Sequence, residues 1–352
     1  YGTSKSITAE KSLKISSGCK KNKNTHLPFE HRKFLLKNER DFTRIDRQKK
    51  KEGDKMSTSM VKGSPLKLML RFALPLLIGN LLQQTYNIID AAIVGQILGA
   101  SALASVGASS SVQFLVLGFC MGSCAGFGVP IAKYFGAGDQ KKMRDCVFNG
   151  AVLTAAIAVI LTTACALLCH FILHILSVPA DIYTGAYQYL IVIFLGIPFT
   201  LMYNYLSSVL RSVGDSRTPF LFLAFSACLN IILDLFCIAV LHWGCMGAAI
   251  ATVTAQAVSG ILCLVFITKK MPLLHLEQEN LKCCGDVEKE LLLMGRPTGL
   301  QFSITAIGTI LVQAALNLLG STVVASYSVS CKVEQLVTQP FAAMGVTMAT
   351  YC

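Results

Sequence analysis

Long apolar runs recur through residues 66–350 of this chain, and they constrain it more than any other feature. Eight are present, at about 68–94, 101–128, 147–174, 182–210, 219–241, 246–268, 291–319 and 322–350. Each reaches the roughly 20 residues that carry an α-helix across about 30 Å of hydrocarbon. A soluble chain of 352 residues could not bury so many apolar helices, and 53% hydrophobic with 14% charged residues is far from soluble usage. The expected fold class is all-α: a polytopic membrane protein with about eight transmembrane helices present, its partner the lipid bilayer.

The net charge of +12 would suggest nucleic acid, but its distribution argues against that partner. Residues 1–60 carry +9 of it. The rest lies in alternate loops: Lys62, Lys67 and Arg71 at span 1, Lys133, Lys141, Lys142 and Arg144 between spans 2 and 3, Arg211 and Arg217 between 4 and 5, and Lys269, Lys270, Lys282, Lys289 and Arg296 between 6 and 7. The opposite loops hold almost no Lys or Arg. Basic loops stay cytoplasmic, so the N-terminus is expected on the cytoplasmic side. The segments read as a basic polar extension (1–62), a first lobe of six helices (63–268), a cytoplasmic linker (269–290) and the start of a second lobe (291–352). Residues 1–55 read as an upstream extension, since Met56 opens a natural short cytoplasmic start. The alternative is a basic tail on anionic lipid.

Fourteen cysteines lie mostly in or beside spans, where cysteine packs as a small hydrophobe. Cys165, Cys169, His170 and His174 have helical spacing but read as a packed helix end with a polar tip, not a metal centre. Cys237 and Cys245 flank a short turn and are not expected to pair.

The chain repeats itself. LGASALASVGASSSVQFL from Leu98 aligns with LGSTVVASYSVSCKVEQLV from Leu319 at an offset of 221, matching Gly99 with Gly320, Ala104 with Ala325, Ser105 with Ser326, Ser109 with Ser330 and Val112 with Val333. Pro75 and Pro297 repeat at 222. A repeat of six spans places both copies in the same orientation, so the repeats are parallel. Two copies need twelve helices, and the chain is expected to be a fragment lacking about four.

Within the first six spans, Asp90 and Asp234 are the only acidic residues. A carboxylate in hydrocarbon is expensive and marks an ion path or a substrate site. At 1.5 Å per residue, Asp90 lies about 12 Å from the outer end of span 1, Asp234 about 10 Å from that of span 5, and Thr252 about 9 Å into span 6. Asn230 is one turn from Asp234 on the same face. Asp90, Asn230, Asp234 and Thr252 therefore share a depth; their azimuth is not given by spacing. Two carboxylates in a low-dielectric layer repel, so such a set suits a proton or, with Asn and Thr oxygens, a bare monovalent cation. No metal beyond a possible Na⁺ there and no cofactor are expected. No nucleophile–base set stands out, so an enzyme is not expected.

These residues and their neighbours resemble the multidrug and toxic compound extrusion (MATE) family over about residues 66–352. The resemblance rests on Pro75, NIIDAAIVGQILG around Asp90, Val94 and Gly95, the loop RSVGDSRTP (Arg211–Pro219), NIILD (Asn230–Asp234), GAAIAT (Gly247–Thr252) and the span 8 pattern ending in Pro340. It implies twelve helices in two six-helix lobes, export of organic cations and amphipathic drugs against Na⁺ or H⁺ across the plasma membrane, and a monomer. Asp90, Asn230, Asp234 and Thr252 look like its cation or proton site. An acid in helix 7 is absent, which resembles the prokaryotic DNA-damage-inducible branch. Tyr86, Asn87, Gln83, Gln113, Gln301 and Glu334 are candidates for the cavity or substrate. Lys332 and Glu334 are either cavity-facing or an interlobe structural pair. Arg211, Gly214, Asp215 and Pro219 are expected to form a structural or gating loop, with Asp215 latching Arg211 or Arg217. The competing function is a flippase for a lipid-linked precursor, which would need a basic cavity; a channel or receptor fits the repeat poorly.

Overall fold

The computed structural model describes residues 65–175, 178, 180–276, 284–317, 334 and 337–350. The extension 1–62, Lys332 and the repeat positions Gly320 to Val333 lie outside the described residues. Those described form helices and no strand. In order these are α1 (Pro65–Ile97), α2 (Ala100–Gly136), α3 (Gln140–Ile175), α4 (Ala180–Leu195), α5 (Ile197–Ser212), α6 (Arg217–Leu235), α7 (Gly244–Lys270) and α8 (Gly285–Asn317). A further helix covers 337–350. The fold is all-α and polytopic, as expected.

Several boundaries differ from the hydropathy reading. Span 4 is not one rod: α4 and α5 meet at a 47° bend. Pro198 enters α5 in its first turn without an amide to donate. The Gly196 carbonyl accepts from Phe199 and Thr200 instead, at 3.1 and 3.2 Å. Hydropathy runs unbroken across this bend and cannot register it. Span 5 ends in a π-helical turn, Phe236–Val240, one residue beyond Asp234. α8 starts six residues before its expected span and takes the end of the expected linker into a helix. Length and apolarity alone select four described helices as membrane-spanning, or five with the bent pair. α1 and α8 are each 33 residues long but carry a heavier polar load, including Arg71, Gln83, Gln84 and Asp90 in α1 and Arg296 and Gln301 in α8.

α2 is the centre of the bundle, packed against α8, α5, α4 and α3, while α7 packs against α6, α5 and α4, and α1 against α6. Phe127, Ile131, Phe194, Leu190, Ile197, Leu201 and Leu210 are buried there almost completely. The outside is apolar too: Ile160, Leu167 and Phe171 on α3 and Leu221, Phe225 and Ile232 on α6 are exposed. Large apolar side chains exposed in this number are what lipid, not water, would cover.

At one end of the bundle, which carries Lys133, Lys141, Lys142, Arg217, Lys269 and Lys270, two connections use the same device. Gly138 (φ 74°) and Gly214 (φ 85°) take the left-handed conformation that glycine adopts without a Cβ clash. Each closes a Schellman turn: Gly138 N–H donates to Phe135 O and Asp139 N–H to Tyr134 O; Gly214 N–H donates to Arg211 O and Asp215 N–H to Leu210 O. The following aspartate then caps the next helix. Asp139 accepts from Lys142 N–H, and Asp215 from the amides of Arg217 and Thr218. A Gly-Asp pair thus ends one helix and starts the next in both loops.

α2 and α8 approach backbone to backbone. A Cβ on Gly122 would lie 2.7 Å from Thr298 O and 2.9 Å from Gly299 Cα; one on Gly126 would lie 2.6 Å from Gly295 Cα and Met294 O. The glycines between Gly118 and Gly128 are a packing stripe of small residues. Towards the basic end of this seam, Lys133 Nζ pairs with Glu290 Oε1 at 2.8 Å and the Tyr134 hydroxyl donates to Glu290 Oε2 at 2.7 Å. The Lys133 ammonium, helped by Tyr134, holds the Glu290 carboxyl below the usual carboxylate range.

Candidate functional site

The four residues that share a depth also converge in azimuth. α1 supplies Asp90, α6 supplies Asn230 and Asp234 one turn apart, and α7 supplies Thr252. The Asp90 and Asp234 carboxyl groups are close enough to interact electrostatically. Two carboxylate oxygens attract each other only with a proton or a cation between them. Asn230 Nδ2 donates a long bond to Thr252 Oγ1 at 3.4 Å. Asp234 is 0% and Asn230 2% exposed, which sets this layer inside the bundle and not on its lipid face.

The layer is short of donors. Asp90 Oδ1, Asn230 Oδ1 and both Asp234 carboxyl oxygens are buried and accept no hydrogen bond. An unsatisfied buried polar atom costs about 1–3 kcal/mol, more when charged, so a set of four is not a packing accident. A proton or a cation is the species that a cluster of acceptors without donors would bind.

Around it stand two tyrosines. Tyr86, half-buried and one turn before Asp90, lies beside Gln83 and within electrostatic reach of both acids. Tyr189 of α4 is 4% exposed, reaches the same acids, and donates a long 3.5 Å bond to Gln113 Oε1 of α2. Gln83 and Gln113 therefore join the site through tyrosines. Asn87 is exposed. Gln301 and Glu334 are also exposed, and no hydrogen bond among the described residues ties them to the acceptor set.

Sequence reading missed one member, Tyr189, and did not single out Gln256. Tyr189 lies in an apolar run, where a tyrosine reads as core. Gln256 of α7 has a buried Oε1 with no partner; its signal was i,i+4 spacing from Thr252.

The loop Arg211–Pro219 is ordered differently from the expected latch. The Asp215 carboxylate accepts from the backbone amides of Arg217 and Thr218 at 3.1 and 3.0 Å and from Thr218 Oγ1 at 2.6 Å. Its bonds thus cap α6, and no ion pair with Arg211 or Arg217 is formed. Arg211 donates to Ser207 Oγ at 2.9 Å. Tyr203 donates to Pro219 O at 3.3 Å, tying α5 to the start of α6. Cys165 and Cys169 are buried, and His170 stacks on Tyr187 while its Nδ1 meets the Tyr183 hydroxyl at 2.8 Å. Cys237 and Cys245 are free.

Comparison with known proteins places this arrangement. The MatE family pattern matches residues 75–236, from the α1 proline to just beyond Asp234. A probable multidrug resistance protein of Bacillus subtilis, YpnP, is 29% identical over 289 residues, covering 82% of this chain and 64% of that protein. A probable multidrug resistance protein of Thermotoga maritima, NorM, is 29% identical, covering 80% and 61%. The chain thus spans less than two thirds of the length of these relatives. Among solved structures, an outward-facing multidrug resistance MATE family transporter of the MOP superfamily superposes with a TM-score of 0.79 at 22% identity, over 84% of this chain and 66% of that one. The helix order and these likenesses agree: the chain is similar to the MATE family, whose pattern it matches over residues 75–236.

Proposed function

We propose that the protein is a cation-coupled antiporter, exchanging Na⁺ or H⁺ for organic cations and amphipathic drugs by alternating access. It acts in the plasma membrane as a monomer, with the basic end of the bundle cytoplasmic. The observation that carries this reading is the acceptor set of Asp90, Asn230 and Asp234, buried and without donors. With both acids ionised and nothing between them, the layer holds two like charges in a medium that screens them poorly, its costliest state. A proton or a Na⁺ ion relieves that repulsion and draws α1 towards α6. Release of the ion loosens the same contact, so site occupancy and helix position are linked and each biases the other. Tyr86 and Tyr189 border the acids on two sides and would sense the change in charge. The multidrug names of the relatives support drug export as the coupled flux.

The test is Asp234→Asn, with Asp90→Asn beside it, expressed in a drug-hypersensitive host. Accumulation of ethidium or a fluoroquinolone should rise to that of cells without the protein, at unchanged expression. In proteoliposomes, an imposed Na⁺ or H⁺ gradient should drive wild-type efflux and fail to drive Asp234→Asn. Efflux by Asp234→Asn equal to wild type would sink the reading.

A further inference from the structure

We infer that Gln256 supplies a further oxygen to the cation at the Asp90–Asp234 layer and tunes the site towards a metal cation, Na⁺ in size and charge, over a proton. The inference rests on the coupled-carrier reading above.

Six buried side-chain oxygens among the described residues accept no hydrogen bond. Four belong to Asp90, Asn230 and Asp234, and a fifth is Gln256 Oε1. Gln256 follows Thr252 by four residues on α7, so both present to one face, and Thr252 faces Asn230. The register of α6 against α7 is fixed by three contacts: Asn230 to Thr252 at 3.4 Å, Ser226 Oγ to Ala255 O at 3.1 Å and Ser259 Oγ to Phe222 O at 3.2 Å. Gln256 therefore stands opposite Ser226, one turn, or about 6 Å, from the level of Asn230 and two turns, or about 12 Å, from that of Asp234.

Side-chain direction narrows that gap. Helical side chains tilt towards the N-terminus of their own helix. α6 and α7 run antiparallel. Asn230 and Asp234 tilt towards the start of α6, and Gln256 tilts the opposite way, towards Thr252. The two tilts converge on the space between Asn230 and Gln256. Neither Asn230 Oδ1 nor Gln256 Oε1 accepts a hydrogen bond there.

The chemistry then selects the ion. A proton between Asp90 and Asp234 engages two oxygens and leaves the two amide oxygens bare. A dehydrated metal cation needs a shell of oxygens, and carboxylate and amide oxygens are the hard ligands that suit it. Removal of one neutral oxygen should weaken metal binding without touching proton exchange on the acids.

The experiment uses proteoliposomes holding the full chain and measures drug efflux driven separately by a Na⁺ gradient and a pH gradient. Gln256→Leu should raise the Na⁺ concentration for half-maximal efflux by about tenfold, the loss typical of a weakened metal site. Its pH-driven efflux should match wild type. Gln256→Asn, whose oxygen is withdrawn by one methylene, should fall between. An unchanged Na⁺ midpoint in Gln256→Leu overturns the inference. So does an equal loss of Na⁺- and pH-driven efflux in both variants, which would make Gln256 a packing residue. Asp234→Asn separates the two readings: activity in that variant defeats the coupled carrier itself, whereas an inactive Asp234→Asn beside an unchanged Gln256→Leu defeats only the role of Gln256.

Discussion

The acceptor layer of α1, α6 and α7 and the seam between α2 and α8 are built on opposite terms. In the layer, oxygens outnumber the hydrogens offered to them, and the fold tolerates four bare acceptors on Asp90, Asn230 and Asp234. At the seam, both Glu290 oxygens are engaged, by Lys133 and Tyr134, and the absence of a side chain at Gly122 and Gly126 lets the two backbones approach. One region leaves interactions unmade, and the other packs to the steric limit. The antiporter proposed above would need both: a place whose energy depends on what is bound, and a contact rigid enough to pass that difference on.

The largest effect should come from the seam. Gly126→Ala places a methyl 2.6 Å from Gly295 Cα and Met294 O, which are backbone atoms that cannot rotate away. Overpacking of this kind costs about 1–3 kcal/mol, and here no side chain can yield. The same substitution at Gly136, near the end of the same helix, meets nothing within 4 Å. It should stabilise by about 0.5–1 kcal/mol through reduced backbone freedom. Thermal unfolding in detergent would show opposite shifts. A Gly126→Ala protein as stable as wild type would show that the seam is looser than described.

The layer should respond in the other direction. Asp234→Leu deletes two unsatisfied buried oxygens and removes a like charge from Asp90. Stability should rise by about 1–3 kcal/mol, the cost of such groups when left unpaired, while efflux is lost. That combination marks a functional layer held at the expense of stability. A fall in the thermal midpoint would instead make Asp234 a structural residue with partners.

The difference between the regions also explains what the sequence could tell. Helix rise is fixed, so the common depth of Asp90, Asn230, Asp234 and Thr252 follows from counting residues. Azimuth depends on how separate helices pack, which no spacing within one helix contains. Tyr189 and Gln256 could not be added by depth alone for that reason. The bend at Gly196 was hidden because Leu195 and Ile197 continue the hydropathy across it, although Pro198 was the local signal. Asp215 was read as an ion-pair partner because charge is visible in sequence. Its hydrogen bonds to the amides of Arg217 and Thr218 belong to a capping geometry that Gly-Asp announces twice, at Gly138 and at Gly214.

The smallest effect should come from the ionic part of the seam. Glu290→Gln keeps an acceptor for Tyr134 and removes the charge that faces Lys133. The pair is a surface one, with side chains 63% and 26% exposed, and water and salt screen it, so the loss should be slight and should shrink further as salt is added. Its pH dependence has a definite sign. The folded state holds the Glu290 carboxyl below its unfolded value, so the unfolded chain binds the proton more readily and stability rises with pH across that interval. The contribution is therefore present at and above neutral pH. It begins to fade as pH falls below about 4.3, the unperturbed value for Glu, and is gone once the folded carboxyl is protonated. Glu290→Gln and wild type should differ in thermal midpoint at neutral pH in low salt and converge in acid. The wild-type advantage would have to persist in acid, or be indifferent to salt, for the contact to be something other than the ion pair described.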